Sequence, residues 1–333
     1  VHYIDAERTA TTPERFLRAV TRTSPFPVAE ATSQSARGAF DATLGFFDRA
    51  RTGGAGVATF FIDEFLELRT FESFPGLRRV LRELADTLSA SNNRFVLTSR
   101  YTARSLRLLK DCSARFEVIH VPPLTNAETL DLLGTIDGPL PSRDVQETDY
   151  IAHSVQALAD GRPAYVRAIA DELTNMQDQG GGDAISALVA LMSPDGRLAK
   201  QCAFSYELRL HRARGYGALK AILEILGEEE GLTLTEISHR MQRTPGSTKD
   251  YLSWLEDVDL ITARQKRYSF TDPLIRLWVR LHCRASAPTE DELVREVHRY
   301  ALPRLPQGEP ALAMATTGPS EEDKKAWGII EID

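Results

Sequence analysis

The chain has 333 residues, room for two or three domains, with 42% hydrophobic and 26% charged residues, the make-up of a soluble globular protein. A formal net charge of −7 excludes a protein that grips nucleic acid through bulk charge. Three scattered cysteines without a CxxC pair, histidines without HExxH spacing and no long apolar run argue against a disulfide framework, a zinc centre and a membrane span.

A reducing cytoplasm is the expected setting. No basic segment followed by an apolar core opens the sequence, and it starts abruptly at Val1, so further residues upstream are expected. VHYID predicts a short strand ending at Asp5. In TTPERFLRAV, Thr12 suits an N-cap, Pro13 the first helical position, and Phe16, Leu17 and Val20 share one face. A Ser/Thr/Pro-rich loop over 21–36 leads to a helix over 37–51 that ends at Gly53-Gly54. VATFFIDEF reads as a buried central strand, and 76–90 as an amphipathic helix carrying Leu77, Val80, Leu81, Leu84 and Leu88. NRFVLTSR is a second buried strand, 102–110 a helix, and RFEVIHVPPL a strand closed by Pro122 and Pro123. Such alternation predicts an α/β domain: a parallel sheet with helices on its faces.

Past Leu124 only helices are predicted: 126–133, 145–159, 163–178, and a basic-flecked stretch from 184 to about 213 after the glycines at 180–182. Residues 217–226, LTLTEISHRM, TPGSTKDYLSWLEDVDLI and TARQKRYSFTDP predict a winged helix-turn-helix. A helix over 289–300 and a polar, flexible tail ending in KKAWGIIEID complete the chain.

Ligands of open parallel sheets bind beyond the carboxyl ends of the strands. Three strand ends carry polar groups: Asp5 and Glu7, then Asp63 and Glu64, then Thr98, Ser99 and Arg100. Adjacent carboxylates at the end of an apolar strand call for a metal ion, an arginine cluster or solvent. Apolar residues followed by Asp-Glu form a Walker B pattern, in which the first carboxylate holds Mg²⁺ through water and the second activates the attacking water. Thr98 or Arg100 on the next strand is then placed to sense the γ-phosphate. The plainer readings are Asp63-Glu64 as a helix cap, Arg100 as a structural ion pair with Asp63, and Asp5 and Glu7 as a solvated strand end.

In order and spacing, FFIDEF, FVLTSR and SARFEVIHVPPLTNAET resemble Walker B, sensor 1 and the arginine-finger strand of AAA+ ATPases. DGRPAYVRAIADEL resembles the lid of the STAND branch, and the winged helix followed by YSFTDPLIRLWV is similar to its archaeal-type ATPases. The resemblance spans roughly residues 1–284 and implies a P-loop NTPase core at 1–125, a helical lid at 126–215 and a winged helix at 216–284, with a C-terminal helix and tail at 285–333. It implies ATP/ADP and Mg²⁺ as cofactors, Asp63 for the metal, Glu64 as catalytic glutamate, Arg100 as sensor 1 and Pro163 near the adenine. Arg115 falls where such proteins place a finger that reaches a neighbour's nucleotide, which implies self-association through the core. One departure stands out: no GxxxxGK[ST] occurs, and GGAGVAT at 53–59 lacks the lysine and precedes a strand. VHYIDAE matches the family's second strand, which puts the expected phosphate-binding segment upstream of Val1.

The expected recognition helix sets Lys249 against Asp250, Glu256, Asp257 and Asp259, a face that repels phosphate. The wing is basic at Arg264, Lys266 and Arg267, enough for a phosphate contact with duplex DNA but not for reading bases. The winged helix is therefore expected to act as a packing or regulatory module. It and the tail are the candidate contacts for a protein partner. A non-catalytic adaptor built on a degenerate ATPase scaffold is the alternative.

Overall fold

The computed structural model describes residues 1–27, 33, 35–54, 56–110, 116–135, 145–178, 181–211, 215–284 and 286–306. They form two units, Val1–Val121 with Ala203–Val279, and Pro122–Cys202 with Arg280 onward.

The chain opens on β1 (His2–Asp5), α1 (Ala6–Thr9) and α2 (Pro13–Arg22). The hydroxyl of Thr12 accepts the Arg15 amide and Pro13 sits in the first turn of α2, as the sequence predicts. Then come α3 (Ala36–Arg49), β2 (Thr59–Asp63), a 3-10 helix (Phe65–Ser73), α4 (Val80–Ala90), β3 (Arg94–Leu97) and α5 (Thr102–Leu109). The three strands pair in parallel in the order β1-β2-β3, in a register that sets Asp5 opposite Asp63 and Ile62 opposite Leu97.

One face of this sheet holds the core. Phe60 and Ile62 are fully buried, and the Phe60 ring meets Phe26, Phe46, Phe47 and Phe95 at centroid distances of 5.1–5.7 Å. Such edge-to-face and stacked aromatic pairs add about 0.5–1.5 kcal/mol each beyond the area they bury. Among the described residues the two faces of the sheet are covered unequally. Within this unit β2 alternates between buried and half-buried residues, and Tyr3 and Val96 lie exposed on the other face. TFFID looks uniformly apolar, but the period-2 geometry of a strand buries only every second residue here.

The expected strand over 116–123 is corrected: Phe116–Val121 run without sheet pairing, and Val118, Ile119 and Val121 are exposed. A strand needs a neighbour for its backbone groups. Beside β3 the neighbouring position is a cavity of about 690 Å³, walled by Phe95–Ser99 on one side and Phe116–Val121 on the other.

The second unit contains α6 (Asn126–Gly134), α7 (Val145–Ala159), α8 (Pro163–Asp178) and α9 (Ala184–Met192). One close approach in it is at Gly161, at φ +62, where a Cβ would stand 2.6 Å from the Leu124 carbonyl oxygen. The Leu124 amide donates to the Gly161 carbonyl at 2.7 Å, so only glycine lets the two backbones meet. The helix expected from 184 to 213 is two helices, α9 and α10 (Arg197–His211), with a turn over 193–196 between them. Gly196 is forced there, because a Cβ would lie 2.2 Å from the Leu191 carbonyl.

Residues 216–282 bring α11 (Tyr216–Glu228), β4 (Leu232–Thr233), α12 (Leu234–Arg240), α13 (Pro245–Asp257), β5 (Ile261–Arg264), β6 (Arg267–Phe270) and α14 (Pro273–His282). The strands form an antiparallel sheet in the order β4-β6-β5. Gln265 and Lys266, both at positive φ, make the hairpin turn between β5 and β6. Finally, α15 (Glu290–Ala301) in the second unit holds Glu296 in ion pairs with Arg280 at 2.6 Å and Arg299 at 2.8 Å.

The sheet is tied to α3 by one buried side chain. Asn93 accepts the Ala58 amide at 3.0 Å and donates to the carbonyls of Phe47 at 2.7 Å and Ala50 at 3.0 Å. Asn93→Ala takes the side-chain partner from the Ala58 amide and from the Phe47 carbonyl, while the Ala50 carbonyl keeps the Arg51 guanidinium at 2.7 Å. It should destabilise the protein by about 2–4 kcal/mol, read as a lowered urea midpoint with an unchanged slope; a loss within about 0.5 kcal/mol would deny Asn93 this role.

Candidate functional site

The parallel register delivers three polar strand ends to one edge of the sheet. Thr98 follows β3 directly and is fixed by its backbone, its amide donating to the Ile62 carbonyl at 3.0 Å and its carbonyl accepting from the Phe65 amide at 3.1 Å. Its hydroxyl accepts the Glu64 amide at 3.1 Å and donates to Oδ1 of Asp63. The Tyr3 hydroxyl, from β1, donates to Oδ2 of the same carboxylate at 2.6 Å, and its ring stacks on Phe61 at 5.6 Å.

These two hydroxyls, Thr98 first and Tyr3 second, hold the Asp63 carboxyl below the ordinary aspartate value. It therefore stays charged, with lone pairs to spare. A carboxylate has about four acceptor sites and two are taken.

Glu64 goes the other way. It sits at φ 51, ψ 48, in the left-handed region, and begins the 3-10 helix without capping it. That turn sends its side chain away from Asp63 into a mostly buried position, and burial pushes its carboxyl up against the pull of Arg100. Arg100 Nε stands 2.7 Å from Glu64 Oε1, and another guanidinium nitrogen is 2.9 Å from Glu7. The helix-cap reading of the two carboxylates does not describe this geometry. The ion pair expected between Arg100 and Asp63 forms with Glu64 instead.

Thr98, Asp63, Glu64 and Arg100 are thus brought together as the sequence predicts. Glu7, read as a solvated strand end, is exposed as expected and is also the second carboxylate on Arg100. Asp5 caps α1 by accepting the Arg8 amide at 3.0 Å. Tyr3 was missed, although the register gave the signal. Tyr3 pairs with Phe61, which shares a face with Asp63 two residues on. Pro163 is the first residue of α8 in the second unit, and Arg115 lies outside the described residues.

Among the described residues no three His, Cys, Asp or Glu side chains gather as a metal cage. Asp63 is one hard oxygen donor. That suits Mg²⁺ carried on phosphate oxygens with its own waters, and does not suit a cation held by protein ligands alone. Nor is any helix among the described residues long and apolar enough to cross a membrane.

The fold has solved relatives. The structure is similar to the Walker-type ATPase PABY2304 of Pyrococcus abyssi, at a TM-score of 0.56 and 17% identity over 84% of this chain and 83% of that one. The chain has a P-loop ATPase-like fold. At that identity the likeness speaks for the fold alone. RuvB of Thermotoga maritima, a Holliday junction branch migration motor, aligns at 14% identity over 81% of this chain and 84% of its own, but its TM-score of 0.34 carries no weight. No protein-family model and no curated protein matches the sequence.

Thr98→Val keeps the shape at position 98 and removes the hydroxyl. The Asp63 titration, followed by carboxyl carbon shifts, should move up toward the ordinary aspartate value, with a smaller rise in Tyr3→Phe. A depressed folded pKa contributes stability above the unfolded value that is lost as pH falls through the folded one. The acid-side loss of stability should therefore be shallower in Thr98→Val than in the parent; an unmoved Asp63 titration would remove the hydroxyl as its cause.

Proposed function

We propose that the chain is an ATP-binding, Mg²⁺-dependent ATP-hydrolysing module of the AAA+/STAND type. In this reading residues 126–215 act as the lid and residues 216–284 as a winged helix, and nucleotide state controls oligomerisation or partner engagement. The observation that carries the reading is the opposed environment of two adjacent carboxylates at the carboxyl end of a parallel sheet. Asp63 is held charged by Thr98 and Tyr3, while Glu64 is turned into a mostly buried site against Arg100. Neighbouring carboxyls whose pKa values are pushed apart suit two different tasks, here a metal-facing anion and a proton acceptor.

In this reading the phosphate cradle is supplied by a strand and loop seated beside β3. The cavity beside β3 supports this, because it lies between an unpaired strand edge and an exposed apolar segment and ends at Thr98 and Ser99. An apolar strand laid there parallel to β3 would cover Val96 and Ile119 and deliver the loop that follows it to the side of Asp63. Asp63 would hold Mg²⁺ through water, and the ion would neutralise charge on the phosphates. Glu64 would accept the proton of the attacking water once Arg100 turns from it toward the γ-phosphate. Pro163 is assigned to the adenine side and Arg115 to a neighbouring subunit's nucleotide, which makes hydrolysis depend on assembly.

A second reading, a non-catalytic adaptor, draws on the closed Glu64–Arg100 ion pair and on the lack of a GxxxxGK[ST] loop in the sequence. The two diverge on one variant. In a protein that carries the phosphate cradle, Glu64→Gln should bind Mg-ATP as the parent does and hydrolyse it about 10²-fold or more slowly. An unchanged rate removes Glu64 from the reaction, and a parent that binds no Mg-ATP leaves the adaptor.

A further inference from the structure

At the end of α13 the chain makes a Schellman turn: the Leu260 amide donates to the Leu255 carbonyl at 3.1 Å and the Asp259 amide to the Glu256 carbonyl at 3.0 Å. The residue in the left-handed position of such a turn is ordinarily glycine. Here it is Asp259, at φ 49, which accepts a steric cost that glycine would avoid. What the aspartate adds is a carboxylate, and that carboxylate reaches across to α5. It accepts the amides of Thr102 at 2.5 Å and Ala103 at 3.2 Å, the first two residues of α5, whose own N-cap residue, Tyr101, offers no side-chain bond. The cap of α5 comes from 157 positions down the chain. Arg209 donates to the Asp259 carbonyl at 2.7 Å, and Asp257 pairs with Arg107 of α5 at 2.6 Å, so the turn is held from both sides.

The helix capped in this way begins just after Thr98, Ser99 and Arg100. The Tyr101 amide donates to the Ser99 hydroxyl at 3.0 Å, and Tyr101 is buried. A continuous four-residue path of backbone therefore runs from the Asp259 cap to the hydroxyl that orients Asp63 and the guanidinium that engages Glu64. We propose that Asp259 is a positioning residue that ties the winged helix to the Thr98–Tyr101 loop, so that the seating of the winged helix sets where Arg100 stands relative to Glu64. The carboxyl end of α13 is thereby spent on the ATPase core. A partner that draws the winged helix off removes the cap, loosens the loop and frees Arg100 to leave Glu64. The proposal gives a regulatory input to the hydrolytic site, and in that respect rests on the ATPase reading.

Asp259→Gly is the decisive variant, because it keeps the left-handed turn and deletes only the carboxylate. Amide hydrogen exchange of the full chain without nucleotide should become about tenfold faster across 98–105, the effect of losing one N-cap, with α13 and β2 unchanged. Asp259→Asn, which tolerates the turn and keeps one acceptor, should restore most of the protection. Asp257→Ala should leave 98–101 within about twofold of the parent. The proposal fails if Asp259→Gly exchanges like the parent over 98–105, or if the acceleration spreads equally to β1 and β2. With a phosphate cradle present, Asp259→Gly should alter kcat and leave nucleotide affinity in place. A loosened loop in a protein that binds no Mg-ATP would keep the tie and sink the ATPase reading; a rigid loop in an ATP-binding protein would sink the tie alone.

Discussion

Thr98 makes four hydrogen bonds across the junction of β2 and β3, two through its backbone and two through its hydroxyl. The backbone pair locks the end of β3 to Ile62 and Phe65, which continues the parallel register one step past the strand. The hydroxyl then has no freedom left: it must accept from the Glu64 amide, and so its proton points at Asp63. A serine could make the same bonds, but the second substituent on a threonine Cβ restricts χ1 and holds the hydroxyl in place at less entropic cost. The left-handed turn at Glu64 depends on this arrangement, because its amide is the donor that Thr98 fixes. A non-glycine residue at φ 51 is strained, and such strain persists where neighbours over-determine it.

From that turn follows the separation of the two carboxylates. Side by side in sequence, Asp63 and Glu64 would repel each other if both faced the same medium. The turn gives them different ones. Asp63 remains at the strand end under two hydroxyl donors, and Glu64 swings into partial burial, where only Arg100 compensates its charge. Arg100 in turn stands half exposed between Glu64 and Glu7, so screening weakens its hold on Glu7 more than its hold on Glu64.

The α/β alternation was legible because local rules and tertiary packing agree there. Thr12-Pro13 caps α2, and α7 and α8 run over 145–159 and 163–178, the spans their periodicity predicts. The turn that divides α9 from α10 was not foreseen, although Pro194 and Gly196 are breakers and a Cβ at Gly196 would meet the Leu191 carbonyl. What could not be read locally were the long-range ties. Asn93, Tyr3 and Asp259 each act on residues 35 or more positions away in sequence, and each looks like an ordinary loop or strand residue in its own neighbourhood. Phe116–Val121 failed for a related reason: β propensity specifies an extended backbone, but a strand exists only where a partner supplies hydrogen bonds.

The cavity beside β3 joins these strands of reasoning. On the core face of the sheet Phe60 and Ile62 are fully buried, with rings packed around Phe60, whereas the β3 edge lines a cavity. Val96 on β3 and Ile119 across the gap are both exposed, an arrangement that invites pairing with any extended chain. A strand entering there would gain backbone hydrogen bonds from β3 and apolar cover from both walls. It would also press on α5, since Thr102, Ser105, Leu106 and Leu109 line the same cavity. Because α5 is capped by Asp259, filling the cavity and shifting the end of α13 would act on the same short helix. Arg100, just before α5, then answers to both, which is the physical condition for two distant contacts to influence each other.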